Sequence, residues 1–372
     1  MTILLLLLLA AVLLVGYANG ANDNFKAVAT IYGSSTLSYR AALGLATAAQ
    51  LTGSVVSVFV AGALVAAFGG KGLLPDQAVA EPSFLLAVAV GAAVTVLAAT
   101  RLGLPVSTTH ALIGGLVGAG LAIAPDRLSW SSLGGRYALP LLLSPVVATG
   151  LAACIYPVAR AVRRKLGIEE VTCVCVAERI EPVAVGDDGG LVMARTGVGL
   201  TADLAGECRP MYHGHVVGVS AQRIVDTCHL GSGFALGFAR GLNDTPKVLA
   251  LLVAARWSGL SIPIALGVIA IVMAAGGIIH SRRIAETLGR RITQMNRGQG
   301  FIANIVASTL VIGASLIGAP VSTTHVSTGA IFGIGLWTDR TSWAVVGQIM
   351  LAWVVTLPMA MAVAYVVVRT TL

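Results

Sequence analysis

Charged residues are scarce in this chain of 372 residues: they make up 11% of it, well below the roughly 25% of an ordinary soluble domain. Aromatic residues are also few, at 5%, whereas hydrophobic residues reach 56% and glycine occurs 44 times. Small residues at this frequency are typical of closely packed transmembrane helices. The composition excludes a soluble enzyme, a disordered chain and a disulfide-stapled secreted module. It predicts an all-α polytopic protein of the cell membrane.

Several catalytic and nucleotide-binding motifs are missing from the sequence. There is no Gly-x-x-x-x-Gly-Lys-[Ser/Thr] phosphate loop, no Ser-x-x-Lys and no His-Glu-x-x-His. The first absence argues against ATP-driven pumping by this chain alone, and the other two argue against intramembrane catalysis. We therefore expect neither enzymatic activity nor a cofactor.

The net charge of +8 follows from basic clusters that lie beside apolar stretches, as in the positive-inside pattern of membrane proteins. This arrangement predicts topology anchors rather than a nucleic-acid interface. Acidic residues concentrate elsewhere, with nine of the 16 between positions 169 and 226. The basic clusters are Arg160, Arg163, Arg164 and Lys165, and then Arg282, Arg283, Arg290, Arg291 and Arg297.

Apolar stretches divide the chain into three parts. Residues 1–163 and 231–372 each contain five such stretches, and they predict two transmembrane repeats. Residues 164–230 are polar and predict an extramembrane, cytoplasmic insertion. The N-terminal apolar run resembles a signal peptide, but no basic residue precedes it and a repeated motif follows it, so we expect it to be retained. The stretches are 3–18, 41–68, 84–100, 104–123 and 137–160, then 231–253, 262–280, 300–318, 320–337 and 343–368.

Two motifs occur once in each half of the chain. Gly-Ala-Asn-Asp-Asn-Phe-Lys at residues 20–26 returns as Gly-Leu-Asn-Asp-Thr-Pro-Lys at residues 241–247. Pro-Val-Ser-Thr-Thr-His at residues 105–110 returns unchanged at residues 320–325. A weaker third pair joins Gln50 and its neighbours to Glu286 and its neighbours. The chain is therefore an internal duplication, and five crossings per half predict repeats of inverted topology, even if the segments around Pro105 form a re-entrant hairpin.

The Pro-Val-Ser-Thr-Thr-His motif predicts a helix break followed by a new helix start, because proline suits only the first turn. A broken helix at membrane depth is tolerated where it lines a cavity or is buried in protein. Two such starts that face each other would offer free N–H groups and hydroxyls to an anion. The alternative is that Ser-Thr-Thr merely caps two ordinary helices; the duplication favours the anion site.

The Asn-Asp motifs place carboxylates inside apolar segments, where an aspartate costs roughly 2.5–3.5 kcal/mol. Asp23 lies three residues before Lys26, and Asp244 three before Lys247, so each pair is compatible with a neutralising ion pair. The alternative is that Asp and the adjacent Asn bind a small cation, or that Asp takes a proton. Carboxylates beside an anion cradle favour this second role and predict cation-coupled anion transport.

These motifs resemble the inorganic phosphate transporter (PiT) family. The resemblance implies two inverted repeats, helical hairpins around a central site, phosphate carried with Na⁺ or H⁺, and a homodimer. Carried over, phosphate would be bound by Ser107, Thr108, Thr109, Ser322, Thr323 and Thr324. The coupling cation, including Na⁺ as a metal ligand set, would be bound by Asn22, Asp23, Asn243 and Asp244, with Lys26, Lys247, Gln50 and Glu286 in support.

The chain departs from the family pattern at two positions. Arg240 stands where the family often has histidine, and Gln50 stands where many members have an acid. Either change would alter the coupling ion or its stoichiometry. A sulfate-transporting branch is also known, so a sulfate symporter is the alternative function, and an anion channel is a weaker one.

Histidine and cysteine residues give weaker signals. His110 and His325 directly follow the two Ser-Thr-Thr triplets, and a structural role is favoured over proton movement. The polar insertion and its border contain Cys173, Cys175, Cys208, Cys228, His213, His215 and His229. Their spacing lacks the second pair of a zinc site, so we do not expect a metal there.

Overall fold

The computed structural model describes residues 3–60, 62–171, 175–185, 191–201, 211–213, 215–216, 218–255, 261–291, 295–338 and 342–371. Most of these residues are helical. Seven helices of the described part are long and apolar enough to cross a membrane, so the chain is a multi-pass membrane protein. The candidate spans are Ile3–Gly33, Tyr39–Val60, Pro82–Arg101, Trp130–Lys165, Ile262–His280, Arg297–Leu316 and Trp343–Thr371.

Each of the ten apolar stretches overlaps a helix, and the stretch 41–68 overlaps two. In the first half the helices are α1 (Ile3–Asp23), α2 (Ala29–Gly33), α3 (Tyr39–Val60), α4 (Gly62–Phe68), α5 (Asp76–Val79), α6 (Pro82–Arg101), α7 (Thr108–Ile123), α8 (Trp130–Ser132) and α9 (Leu139–Lys165). In the second half they are α10 (Ala221–Ala254), α11 (Ile262–His280), α12 (Arg282–Glu286), α13 (Arg297–Leu316), α14 (Thr323–Gly335) and α15 (Trp343–Thr371).

Tighter or wider helical turns join some of these helices. Short 3-10 turns cover Asn24–Val28 and Pro125–Arg127, and π-helical turns cover Leu133–Ala138 and Thr287–Arg291. The first of them is important for the site, because regular α1 ends at Asp23 and the chain continues through the 3-10 turn into α2. The first Asn-Asp motif thus lies at a helix break, whereas the second lies inside α10.

Residues 160–225 form a compact unit of their own. The described strands there are β1 (Glu169–Val171), β2 (Cys175–Val185), β3 (Leu191–Thr201), β4 (Met211–His213), β5 (His215–Val216) and β6 (Val219–Ser220). They pair as the antiparallel ribbons β1–β4, β2–β3 and β5–β6, and the β2–β3 register is shifted near Arg179 and Pro182. The other unit comprises residues 1–159 and 226–372 and contains both repeated motifs.

Motif glycines allow helices of the two halves to approach closely. A Cβ at Gly20 would overlap the carbonyl oxygen of Met273 in α11, and a Cβ at Gly241 would overlap that of Gln50 in α3. The reverse contacts match as well: Gly53 faces the carbonyl of Phe238, three residues before Gly241, and Gly276 faces that of Tyr17, three residues before Gly20. Each Asn-Asp helix therefore packs against a helix of the opposite half, α1 against α11 and α10 against α3.

The short helices α7 and α14 are packed in the same crossed manner. Gly114 and Gly118 of α7 face the carbonyls of Leu357 and Met361 in α15. The equivalent residues of α14, which lie 215 positions later, face α9 of the first half, with Gly329 against Pro145 and Gly333 against Thr149. The last helix of each half thus supports the short helix of the other half.

Candidate functional site

Two buried helix starts form the centre of the site. α7 begins at Thr108 and α14 at Thr323, directly after the Pro-Val-Ser segments, as the sequence predicts. The hydroxyl of Ser107 accepts a hydrogen bond from the backbone N–H of His110 at 3.1 Å, and that of Ser322 accepts one from His325 at 3.2 Å. Both serines are N-caps, so they satisfy orphan N–H groups of their own helices.

The first Asp-Lys pair connects α1 to the opposite half. Lys26 forms a buried ion pair with Asp23. Its ammonium also donates to the carbonyl of Val106 at 2.6 Å and to the hydroxyl of Thr324 at 2.6 Å. That hydroxyl in turn donates to the same Val106 carbonyl at 2.9 Å.

The second Asp-Lys pair repeats these contacts with the halves exchanged. Lys247 forms an ion pair with Asp244 at 3.3 Å, and it donates to the carbonyl of Val321 at 2.7 Å and to the hydroxyl of Thr109 at 2.9 Å. The Thr109 hydroxyl donates to Val321 at 3.3 Å. In each half, two helices that pack together form a hairpin, α6 with α7 and α13 with α14. Each lysine therefore connects the hairpin of its own half to the helix start of the other half.

The carboxylates accept hydrogen bonds from the first residues of the two short helices. Thr108 donates to Asp23 at 3.1 Å, and Thr323 donates to Asp244 at 3.4 Å. Both aspartates are almost fully buried, with 2% and 3% of their surface exposed. A carboxylate at a helix N-terminus is favoured by the free N–H groups and the helix dipole. Asp23 and Asp244 thus lie where an external anion would be stabilised.

The adjacent asparagines hold the backbone of the hairpins. The amide of Asn22 donates to Thr100 and to the carbonyl of Leu104, and its oxygen accepts from the N–H of Val106 at 3.1 Å. Asn243 donates to Asp244 at 2.9 Å and to the Val321 carbonyl at 3.4 Å, and it accepts from Ser315 at 3.2 Å. The structure therefore gathers the Ser-Thr-Thr triplets, both asparagines, both aspartates and both lysines into one hydrogen-bonded cluster.

Known proteins resemble this chain over most of its length. The model of the phosphate transporter family matches residues 19–364. The chain belongs to that family. A protein of Pyrococcus abyssi described as a candidate phosphate permease is 28% identical, covering 96% of this chain and 95% of its own. A probable low-affinity inorganic phosphate transporter of Rhizobium meliloti is also 28% identical, covering 96% and 93%.

A solved structure has the same fold. It is titled the sodium-dependent phosphate transporter, and it superposes with a TM-score of 0.75 at 19% sequence identity, covering all of this chain and 99% of its own. The resemblance to phosphate transporters expected from the motifs is thus confirmed. The family consists of transporters rather than enzymes.

Arg240 and Asn19 lie at the centre of the site, although the sequence did not lead us to include them among the site residues. Arg240 is 2% exposed, and its guanidinium donates to the side-chain oxygen of Asn19 at 2.6 Å. Asn19 donates to Asp23 at 2.9 Å, to Thr108 at 3.1 Å and to Asp244 at 3.4 Å. A signal existed in the sequence: Asn19 directly precedes Gly20 and Arg240 directly precedes Gly241, so both occupy the same position of the repeated motif.

Of the four residues expected to support the site, Lys26 and Lys247 lie in the cluster, whereas Gln50 and Glu286 have different environments. Gln50 is fully buried and donates to Ser54 at 2.8 Å; the Ser54 hydroxyl lies 2.6 Å from that of Thr245, next to the second aspartate. The side chain of Glu286 is 45% exposed and pairs with Arg282 at 3.5 Å. The predicted repeat equivalence of Gln50 and Glu286 does not agree with the glycine contacts, which relate Gly53 to Gly276 and thereby Gln50 to Met273.

Three histidines of the helical part lie at two separate positions. The rings of His110 and His325 meet edge to face with centroids 4.4 Å apart, and His325 also packs on Trp353 at 3.9 Å. His229 is buried in α10 beside the hydroxyl of Thr30 at 3.0 Å, so it belongs to the helical core and not to the insertion.

The cysteine signals of the insertion are only partly described. Cys173 and Cys208 lie outside the described residues, whereas Cys228 is an exposed free thiol at the start of α10. Among the residues that the structure describes, no group of three or more His, Cys, Asp or Glu side chains has a metal-binding arrangement.

Proposed function

We propose that this chain is a secondary transporter that carries inorganic phosphate together with Na⁺ or H⁺ by alternating access. The observation that carries the proposal is the reciprocal bonding of Lys26 and Lys247, each of which joins a hairpin of its own half to a threonine of the other half. Membership of the phosphate transporter family supports phosphate as the anion. The sodium-dependent neighbour supports Na⁺ as the coupling ion.

Phosphate would bind between the two short helix starts. The donors proposed for it are the triplets Ser107, Thr108, Thr109 and Ser322, Thr323, Thr324, with Lys26 and Lys247 beside them. The carboxylates of Asp23 and Asp244 already accept hydrogen bonds from Thr108 and Thr323. A helix N-terminus that favours a carboxylate also favours a phosphate oxygen, so phosphate would compete with the aspartates for the same hydroxyls and ammonium groups.

This competition supplies a physical basis for coupling. When phosphate takes over the threonine hydroxyl and the lysine ammonium, the aspartate becomes an unpaired carboxylate at membrane depth. Such a carboxylate is costly. A Na⁺ ion or a proton removes that cost. Asp23 and Asp244 would bind the cation, with Asn22 and Asn243 as neighbouring amide ligands. Anion and cation would then enter the site together, because each one makes the binding of the other more favourable.

The two halves would be inverted repeats, 1–163 and 231–372, and residues 164–230 an extramembrane insertion on the cytoplasmic side. The crossed packing of α7 on α15 and of α14 on α9 supports this assignment, since equivalent contacts are exchanged between halves. Exchange of these crossed contacts would expose the site first on one side of the membrane and then on the other. The family resemblance further implies a homodimer.

The test is uptake of radiolabelled phosphate into proteoliposomes under an imposed Na⁺ or proton gradient, with sulfate as competitor. Uptake driven by one gradient and insensitive to sulfate is the expected result, and it identifies the coupling ion. Accumulation of sulfate without phosphate would move the protein to sulfate transport. Phosphate flux that follows its own gradient at channel rates, with no response to either cation, would contradict coupled transport.

A further inference from the structure

Among the buried charged residues that the structure describes, Arg240 alone has no charged counterpart in the other half. Five charged side chains are buried in the part of the chain that the structure describes, namely Asp23, Lys26, Arg240, Asp244 and Lys247. Two Asp-Lys pairs account for four of them. The fifth, Arg240, lies in the middle of α10 at the position that Asn19 occupies in α1.

The guanidinium of Arg240 lies among oxygen atoms from both halves. It donates to the side-chain oxygens of Asn19 at 2.6 Å and Asn24 at 3.0 Å, and more weakly to the backbone carbonyl of Asn19 at 3.4 Å. Its Nε lies 3.7 Å from a carboxylate oxygen of Asp244. Two amide oxygens, a backbone carbonyl and a carboxylate are hard ligands of the kind that small cations bind. Here they are already occupied by a cationic side chain.

The charges of the buried cluster do not balance. Three buried cationic side chains face two carboxylates, which leaves one positive charge in the site. An uncompensated charge at membrane depth is expensive. A singly charged phosphate neutralises this site alone, and a doubly charged phosphate needs one external cation or proton. Without Arg240, each of these two forms of phosphate would need one more external cation or proton.

We propose that Arg240 is a resident cation of the transport site, which occupies the oxygen ligands of Asn19, Asn24 and Asp244 and thereby reduces by one the number of external cations carried with each phosphate. This inference rests on the proposed function and sets the stoichiometry of that function. Asp244 is held by Arg240 and Lys247 together, so Asp23 is the principal carboxylate for the mobile cation.

The test compares Arg240→Gln with the wild type and with Arg240→Lys, which retains the charge. Phosphate and cation fluxes are measured in the same proteoliposomes, with labelled Na⁺ and an internal pH dye. The ratio of cation to phosphate rises by about one in R240Q, because the missing positive charge is replaced from solution. R240K keeps the wild-type ratio. Arg282→Gln, which removes an exposed arginine with a surface partner, is the matched control and also keeps the ratio.

Phosphate uptake by R240Q with an unchanged ratio and an unchanged cation dependence would overturn the inference. If R240Q is folded but transports nothing, phosphate binding to the detergent-solubilised variant decides the question at increasing Na⁺ concentration and at decreasing pH. Recovery of binding by either cation supports a resident cation, and failure to recover at every condition contradicts it. Failure of the wild type to take up phosphate would instead contradict the proposed function itself.

Discussion

The two Asn-Asp motifs make the same contacts but differ in the residue that precedes their glycine. In both motifs an aspartate pairs with a lysine three residues later. That lysine donates to a hairpin carbonyl of its own half and to a threonine of the opposite half. In the first motif the preceding residue is the neutral Asn19, and in the second it is the charged Arg240; the two side chains meet at 2.6 Å. The shared contacts build the scaffold, whereas the unshared pair determines the charge of the site.

The largest expected effect comes from filling the close approach that the motif glycines allow. Gly20→Ala and Gly241→Ala each place a Cβ onto a backbone carbonyl of the neighbouring helix. Because a backbone atom cannot give way as a side chain does, the cost exceeds the roughly 1–3 kcal/mol of ordinary core overpacking. We expect little folded protein in both cases, measured by thermal unfolding in detergent. Gly267→Ala, in a helix position with open space around it, is the control. A stable G20A would show that the helices are not held this closely.

The next largest effect is expected from removal of the lysine of each ion pair, and it distinguishes the two pairs. Lys26→Met leaves Asp23 as a buried carboxylate without its cation, and Lys247→Met does so for Asp244. Removal of one partner of a buried pair costs about 3–5 kcal/mol. We expect K26M to be more harmful than K247M, because Arg240 still compensates Asp244. The measurements are phosphate uptake and melting temperature. Equal damage by the two variants would contradict the asymmetry attributed to Arg240.

A second substitution is expected to restore part of the stability that K26M loses. The double variant Lys26→Met with Asp23→Asn leaves neither residue of the first pair charged, so it regains stability relative to K26M alone. Uptake stays low, because the coupling carboxylate is gone. The measurement is a double-mutant cycle, in which thermal unfolding and phosphate uptake are compared between the single and double variants. A double variant as unstable as K26M would mean that the two residues do not act as a pair.

A smaller effect is expected from the threonines at the helix starts. Thr108→Val and Thr323→Val each remove one hydroxyl that donates to an anion, worth about 1.5 kcal/mol for a charged acceptor. The concentration of phosphate at half-maximal uptake rises about tenfold in each. Thr52→Val, which removes an exposed hydroxyl bonded within its own helix, leaves it unchanged. Unaltered phosphate affinity in both variants would rule out the anion cradle.

The smallest effect is expected at Glu286. Its half-exposed pair with Arg282 contributes at most about 1 kcal/mol. Uptake by Glu286→Gln therefore stays close to the wild type, whereas Gln50→Leu, which disrupts the buried contact with Ser54, lowers it. Uptake kinetics of both variants are the measurement. A strong loss in E286Q alone would restore Glu286 as a supporting residue of the site.

Much of the fold follows from short-range rules that a sequence displays. The identical Pro-Val-Ser-Thr-Thr-His segments predict two helix starts. In the structure, helices begin at Thr108 and Thr323, each capped by the serine that precedes it. Long apolar stretches predict membrane-spanning helices because the thickness of the membrane sets their length. The gathering of both Asn-Asp motifs around these starts could be expected because a buried aspartate needs a partner.

Other features depend on long-range packing and could not be read from the chain. Gln50 and Glu286 share similar neighbours in sequence, but the equivalence of Gly53 and Gly276 appears only when their opposing carbonyls are known. Arg240 was identified as a departure from the family pattern, yet its contact with Asn19 joins residues 221 positions apart. Local patterns carry no information about which oxygen atoms a long side chain will reach.

In the proposed mechanism, phosphate displaces the aspartates from their partners and thereby brings a cation into the site. This mechanism is tested most directly by the ratio of cation to phosphate flux in proteoliposomes that contain the wild type, Asp23→Asn or Asp244→Asn. We predict that D23N abolishes cation-dependent uptake and that D244N weakens it. If both variants take up phosphate with the wild-type ratio and the wild-type cation dependence, the aspartates do not couple the two fluxes and the account is wrong.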